Sequence, residues 1–213
     1  MSEQTKTDYL NDLTEIRSLM ERSSRFLSLS GLSGVFAGFF ALGGAAVAYM
    51  LLYRGRVPFL DGIFLSSTEI ISYLLLDAVV VLLLAVSTGI YFTVKNTRKR
   101  GEKIWHSSMK MWLFHLLLPL VAGGLFCLEL FYWGVGGLVP GATLIFYGLA
   151  LVNAGKFTHG EIRQLGVLEI GLGILSSFFV GYGLLFWSVG FGLLHILYGI
   201  IMYQKYERER SDK

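Results

Sequence analysis

Ile70-Ile71-Ser72-Tyr73-Leu74-Leu75-Leu76-Asp77-Ala78-Val79-Val80-Val81-Leu82-Leu83-Leu84-Ala85-Val86-Ser87-Thr88-Gly89-Ile90-Tyr91-Phe92-Thr93-Val94 decides the fold. Apart from Asp77 the stretch carries no charge, and it exceeds the roughly 20 residues a helix needs to cross a hydrocarbon core. Leu74 to Leu76 and Val79 to Val86 do not alternate apolar with polar residues, as the strands of a membrane barrel would. The segment reads as a transmembrane helix, and the chain as an all-α, polytopic membrane protein.

Five further segments have the same character: approximately 30–53, 107–132, 136–155, 164–182 and 184–204. Only Trp133-Gly134-Val135 separates the third from the fourth, and the last two meet at Gly181-Tyr182-Gly183. Turns that short make consecutive helices antiparallel neighbours. The whole composition agrees: 54% of the 213 residues are apolar and only 15% charged, against about 25% charged in a typical soluble domain. Disorder and a disulfide-stapled secreted domain are excluded.

Orientation follows from the basic residues. Lys6, Arg17, Arg22 and Arg25 precede the first span, and Lys95, Arg98, Lys99, Arg100, Lys103 and Lys110 lie at the connection between the second and third. Lys156 and Arg163 join the fourth to the fifth, and Lys205, Arg208, Arg210 and Lys213 follow the sixth. Six spans put all of these on one side, leaving only Arg54 and Arg56 opposite. Both ends are therefore expected in the cytoplasm. The same topology accounts for the net charge of +3 without a nucleic-acid partner, for which no binding motif is present.

The chain divides into residues 1–29, the six-helix domain 30–204 and a charged cytoplasmic tail 205–213. In the first part Leu10, Leu13, Ile16, Met20 and Leu27 recur at helical spacing opposite Asp12, Glu15, Arg22 and Arg25. That pattern predicts an amphipathic helix on the cytoplasmic face, packed on the bundle or free to recruit a cytoplasmic partner. Gly34 and Gly38 form a GxxxG step, a surface for close helix packing inside the chain or for a homodimer. An overlay of 107–155 on 164–204 at an offset of 51 aligns Gly141, Tyr147 and Gly148 with Gly192, Tyr198 and Gly199, a weak sign of duplication. Cys127, the single cysteine, has no internal disulfide partner.

Ionisable groups at membrane depth are expensive and mark candidate sites. Asp77, His115, Glu129, Glu169 and His195 lie within the spans, with Asn153 near a cytoplasmic end. Counted from that side at helical rise, Glu169, His115 and His195 reach depths of roughly 9, 12 and 13 Å. Pro119 sits one turn after His115 and is expected to kink its helix and free the His115 carbonyl. Four readings of this level stay open. The groups hydrogen-bond helices together, for example His195 to Glu169. They line a small-molecule or proton pathway that includes Asp77. His115, His195 and Glu169 hold zinc, although no HExxH accompanies them. His115 and His195 ligate haem.

Near the cytoplasmic side, Thr158-x-x-Glu161 fits a capping box, while His106 and His159 are expected to be solvated loop residues. The segment 58–64 is apolar for a loop, and Trp105, Trp112, Trp133 and Tyr182 stand near span ends as aromatic belts do. No P-loop, GxSxG or dinucleotide fingerprint appears.

Two stretches carry a resemblance. Ile16-Arg17-Ser18-Leu19-Met20-Glu21-Arg22-Ser23-Ser24-Arg25-Phe26, running into Leu29-Ser30-Gly31-Leu32-Ser33-Gly34, is one. Gly183 to His195 with Tyr198-Gly199 is the other. Together they resemble uncharacterised six-span bacterial membrane proteins of a Bacteroidota-like type. The resemblance implies a bacterial inner membrane and transfers no catalytic residue. The expected function is accordingly a non-enzymatic membrane bundle that binds a partner or ligand in sensing or regulation. A small transporter or proton-coupled carrier built on His115, Glu169 and His195 is the alternative, and an embedded metal or haem protein the third.

Overall fold

Helices stand at each of the six apolar segments in the computed structural model, which describes residues 30–54, 67–99 and 107–207. The expected amphipathic helix of 1–29 and the apolar loop at 58–64 lie outside these residues. Every regular element among the described residues is helical. In chain order these are α1 Gly31–Arg54, α2 Ser67–Lys99, α3 Ser107–Tyr132, α4 Val139–Ala154 and α5 Gly160–Phe178. The last rod joins α6 Gly183–Trp187, a π-helical segment Ser188–Leu194 and α7 His195–Tyr206.

Local chemistry sets the breaks. Gly134 adopts φ 72° after α3, so that Gly134 N–H donates to Phe131 O and Val135 N–H to Leu130 O. Those two bonds make a Schellman termination, in which glycine takes the left-handed conformation without a side-chain penalty. A short 3₁₀ turn, Gly136–Leu138, then leads into α4, where Pro140 occupies the opening turn. Proline is tolerated there because the N–H it lacks would have no partner inside the helix. Pro119 instead lies inside the continuous α3.

The helices form a centre with two flanks. Helix α1 packs between α2 and the α6–α7 rod, while α4 and α5 pack closely on each other and both touch α6. The main contacts of α2 are with α1, and those of α3 with α4 and the 3₁₀ turn Gly155–Phe157. Both flanking helices consequently expose apolar side chains outward, among them Leu82 on α2, 62% exposed. An apolar exterior of this kind suits a hydrocarbon solvent, where helix association depends on close packing rather than on water exclusion.

Four glycine pairs at a spacing of seven supply that close packing. Gly141 and Gly148 of α4 oppose Gly173 and Gly166 of α5, while Gly31 and Gly38 of α1 oppose Gly199 and Gly192 of the last rod. In both cases the order reverses, so the partners run antiparallel. A Cβ at Gly148 would lie 2.6 Å from Gly166 O, and one at Gly166 would lie 2.7 Å from Gly148 O. Backbone meets backbone, and neither side has a flexible group that yields. The Gly34/Gly38 step is thus filled by the chain's own last rod: a Cβ at Gly34 would lie 3.3 Å from Gly199 Cα, and one at Gly38 2.6 Å from Gly192 O.

Two local expectations are corrected. The N-cap of α5 is His159, with no side-chain bond, so Thr158 and Glu161 form no capping box. Glu161 is drawn instead to Lys205 Nζ at 2.5 Å and to the Tyr206 hydroxyl at 3.0 Å, since α7 ends beside the start of α5. His159 is buried rather than solvated, its ring 4.0 Å from that of Tyr206. Helix α7 continues to Tyr206, into the segment expected as the tail, of which residues 208–213 lie outside the described residues. Glu207 then reaches the N-terminus of α1, accepting from Gly31 N–H at 2.6 Å and from the Ser30 hydroxyl at 3.0 Å. A carboxylate there satisfies orphan N–H groups at the positive end of the helix dipole.

Candidate functional site

Glu169 is the group that needs explaining. It lies on the inward face of α5 with no exposed surface, and among the described residues neither carboxyl oxygen has a hydrogen-bond partner. Isolated burial of such a group is costly, so an acid here has to be held by its surroundings or used. The space for it comes from Gly190 in the π-helical segment, where a Cβ would stand 2.5 Å from Glu169 Oε2 and from Leu144 Cδ2. Any larger residue at 190 displaces the carboxyl.

His195 faces Glu169 from the first residue of α7. Its Nδ1 is 3.4 Å from Glu169 Oε1, but the same nitrogen lies 3.0 Å from Gly190 O. A carbonyl only accepts, so Nδ1 carries the proton and donates it to Gly190 O. Nε2 then accepts the Tyr147 hydroxyl, 2.7 Å away on α4. One imidazole proton is therefore held by the backbone while the carboxyl beside it goes without. This explains how Glu169 and His195 come to lie adjacent without a hydrogen bond between them.

The π-helical segment Ser188–Leu194 is the local device that sets this geometry. Such segments widen a helix by one residue per turn and shift backbone carbonyls out of register, which is why they recur at functional sites. Aromatic rings wall off one side: Phe191 packs 4.9 Å from Tyr147 and 4.9 Å from Trp187, and stacks 5.8 Å from the His195 ring. Two turns along α5 from Glu169, Ser176 is also buried, 1% exposed, with its hydroxyl unpartnered among the described residues.

The other candidate residues lie elsewhere. His115, on α3, stacks on Phe157 with ring centroids 5.1 Å apart, at the outer flank of α4. Asp77 projects from α2 over Gly44 of α1, where a Cβ would meet its Oδ2 at 3.2 Å. Glu129 is exposed near the end of α3. Among the described residues no three His, Cys, Asp or Glu side chains are grouped to hold a metal ion, so His115, Glu169 and His195 make no such set. Tyr147 is the residue that sequence reasoning passed over. It entered only as a repeat position, and its hydroxyl in the middle of an apolar helix was the available signal.

Where α5 begins and α7 ends, a second polar group forms around Glu161, outside the expected spans. Burial pushes its carboxyl up, but hydrogen bonds from Lys205, its own backbone N–H and Tyr206 outweigh that and hold it below the usual carboxylate range. This group ties α5 to α7, as Glu207 ties α7 to α1. Among the described residues, then, an enclosed carboxyl lies beside a hydrogen-bonded imidazole–phenol pair, and an ion-pair group joins the start of α5 to the end of α7. Comparison with family models, with curated proteins and with solved structures finds no match.

Proposed function

We propose that the chain is a six-span protein of a bacterial inner membrane, with both ends cytoplasmic. It works as a non-enzymatic sensing or regulatory bundle whose responsive element is Glu169, His195 and Tyr147. Five of the helices are long and apolar enough to cross a membrane by length and composition; α5, with 19 residues, is not among them. Its charges supply the reason. Glu161 and Arg163 lie in its opening turns, at the interface on this reading, and only Glu169 goes deeper, wholly enclosed. Counting α5 as a span brings sixteen of the eighteen basic residues to one side. The resemblance to bacterial membrane proteins supports the choice of membrane.

One observation carries the functional reading: an enclosed carboxyl with no hydrogen bond, 3.4 Å from an imidazole whose proton is held by a carbonyl. A proton or a small shift of the imidazole changes which acceptor is served, and α4, α5 and the last rod all contribute to the outcome. A bistable polar element of that kind is what converts a local protonation or ligand event into a helix movement. Trp187, linked through Phe191 to His195, reports on it. Fluorescence of a variant keeping only Trp187 is expected to change with pH in proteoliposomes, and to lose that change in Glu169→Gln. A pH-independent signal, or one unaltered by the substitution, rejects the reading.

The carrier reading is favoured by the same acid–imidazole–phenol series. It requires proton flux in proteoliposomes that Glu169→Gln abolishes, whereas a sensing bundle changes fluorescence without flux. Membrane-impermeant thiol labelling, in a Cys127→Ala background, of cysteines placed at the exposed positions 133, 156 and 181 tests the topology independently. Labelling at 156 from the cytoplasmic side and at 133 and 181 from the other is expected.

A further inference from the structure

A groove of about 580 Å³ runs along the outside of the protein between the start of α5 and α7, lined by Gly160, Arg163, Gln164, Val167, Leu168 and Tyr198. Its chemistry is graded. Arg163 and Gln164 are exposed at the interfacial end, while Val167 and Leu168, 57% and 45% exposed, continue toward the bilayer centre. From Arg163 to Leu168 the helix rises about 7.5 Å, the distance from a headgroup to the first part of an acyl chain.

Among the described residues nothing compensates the charge at the top of the groove. Glu161, the neighbouring acid, is already engaged by Lys205 and Tyr206 of α7. Among the described residues no carboxylate pairs with Arg163. An arginine fork matches the oxygens of a phosphate in two parallel hydrogen bonds, and the Gln164 amide adds a further donor. Gly160 lines the mouth and has open space beside it, since a Cβ there would meet nothing within 4 Å.

We infer that this groove binds an anionic phospholipid of the cytoplasmic leaflet, its phosphate on Arg163 and Gln164 and an acyl chain along Val167, Leu168 and Tyr198. The inference rests on the membrane reading above. A soluble phosphate would use Arg163 but has nothing to place on the exposed valine and leucine, which is why a lipid is the better occupant.

The test is native mass spectrometry of the full chain, purified in detergent and exchanged against equal phosphatidylglycerol and phosphatidylcholine. The wild type is expected to retain phosphatidylglycerol in preference. Arg163→Gln is expected to lower that retention about tenfold, the effect of one lost charge-assisted contact. Arg98→Gln, which removes an exposed cation on the same side, leaves it unchanged. Gly160→Leu fills the mouth from a position with free space and lowers retention without altering the fold, read by circular dichroism. The inference is overturned if the wild type shows no preference, if Arg163→Gln falls no further than Arg98→Gln, or if Gly160→Leu retains lipid normally. Displacement of the lipid by millimolar inorganic phosphate overturns it too, in favour of a free-anion site. Thiol labelling that puts residue 156 on the far side sinks the topology alone, because retention is measured in detergent.

Discussion

Replacing Glu169 with methionine separates a group that glues helices from one kept for function, because the two cases predict opposite signs. Methionine has similar length, is unbranched and adapts to irregular spaces, so it suits the pocket between Leu144, Gly190 and His195. The wild-type carboxyl is fully enclosed and neither oxygen is hydrogen-bonded. A buried polar group without a partner costs about 1–3 kcal/mol, and methionine removes the carboxyl while preserving the packing. Glu169→Met is therefore expected to stabilise the bundle by about 1–3 kcal/mol and to abolish its response to pH. His195→Ala is expected to act in the other direction. It strips partners from the Tyr147 hydroxyl and the Gly190 carbonyl and opens a cavity, costing about 2–4 kcal/mol. Equilibrium unfolding in mixed micelles, followed by circular dichroism, measures both. If Glu169→Met destabilises by more than about 1 kcal/mol, the carboxyl makes bonds that hold the helices, and the argument from its isolation is refuted.

Gly148→Ala puts a Cβ 2.6 Å from Gly166 O and is expected to cost about 1–3 kcal/mol, while Gly171→Ala, with nothing within 4 Å, is neutral or slightly stabilising in the same unfolding assay. Glu207→Ala removes the carboxylate that caps α1 and should cost about 0.5–2 kcal/mol, with faster hydrogen exchange at the Gly31 amide; unchanged exchange there counts against the cap. Because the folded carboxyl of Glu161 sits below its ordinary range, its contribution to stability is present above the unfolded value near ~4.3 and is lost as pH falls through the folded one. Glu161→Gln should flatten that acidic limb of an unfolding-versus-pH curve, and an unaltered limb would assign it to other groups.

The helices were legible before the structure because length and apolarity alone specify a bilayer span. Ser107–Tyr132 was anticipated to the residue as 107–132, and the rest within a few positions at each end. What misled was local chemistry competing with distant partners. Thr158 and Glu161 have the spacing of a capping box, but Lys205 and Tyr206, more than forty residues away, offer Glu161 stronger bonds. Equal depth likewise grouped His115 with Glu169 and His195. Depth is one coordinate of three, and around the bundle axis His115 belongs to the α3 flank against Phe157.

By itself, then, the sequence determined that the chain is helical and apolar enough for a bilayer, and which few polar groups lie within its helices. Those properties follow from summed transfer energies along the chain and need no partner. Only the tertiary structure decided that α2 and α3 stand at the flanks, that heptad-spaced glycines pair α1 with the last rod and α4 with α5, and that Tyr147 rather than His115 completes the cluster at Glu169. Each of those depends on which faces meet. In an apolar solvent that choice turns on close backbone fit, and the fit depends on small residues brought together from distant parts of the chain.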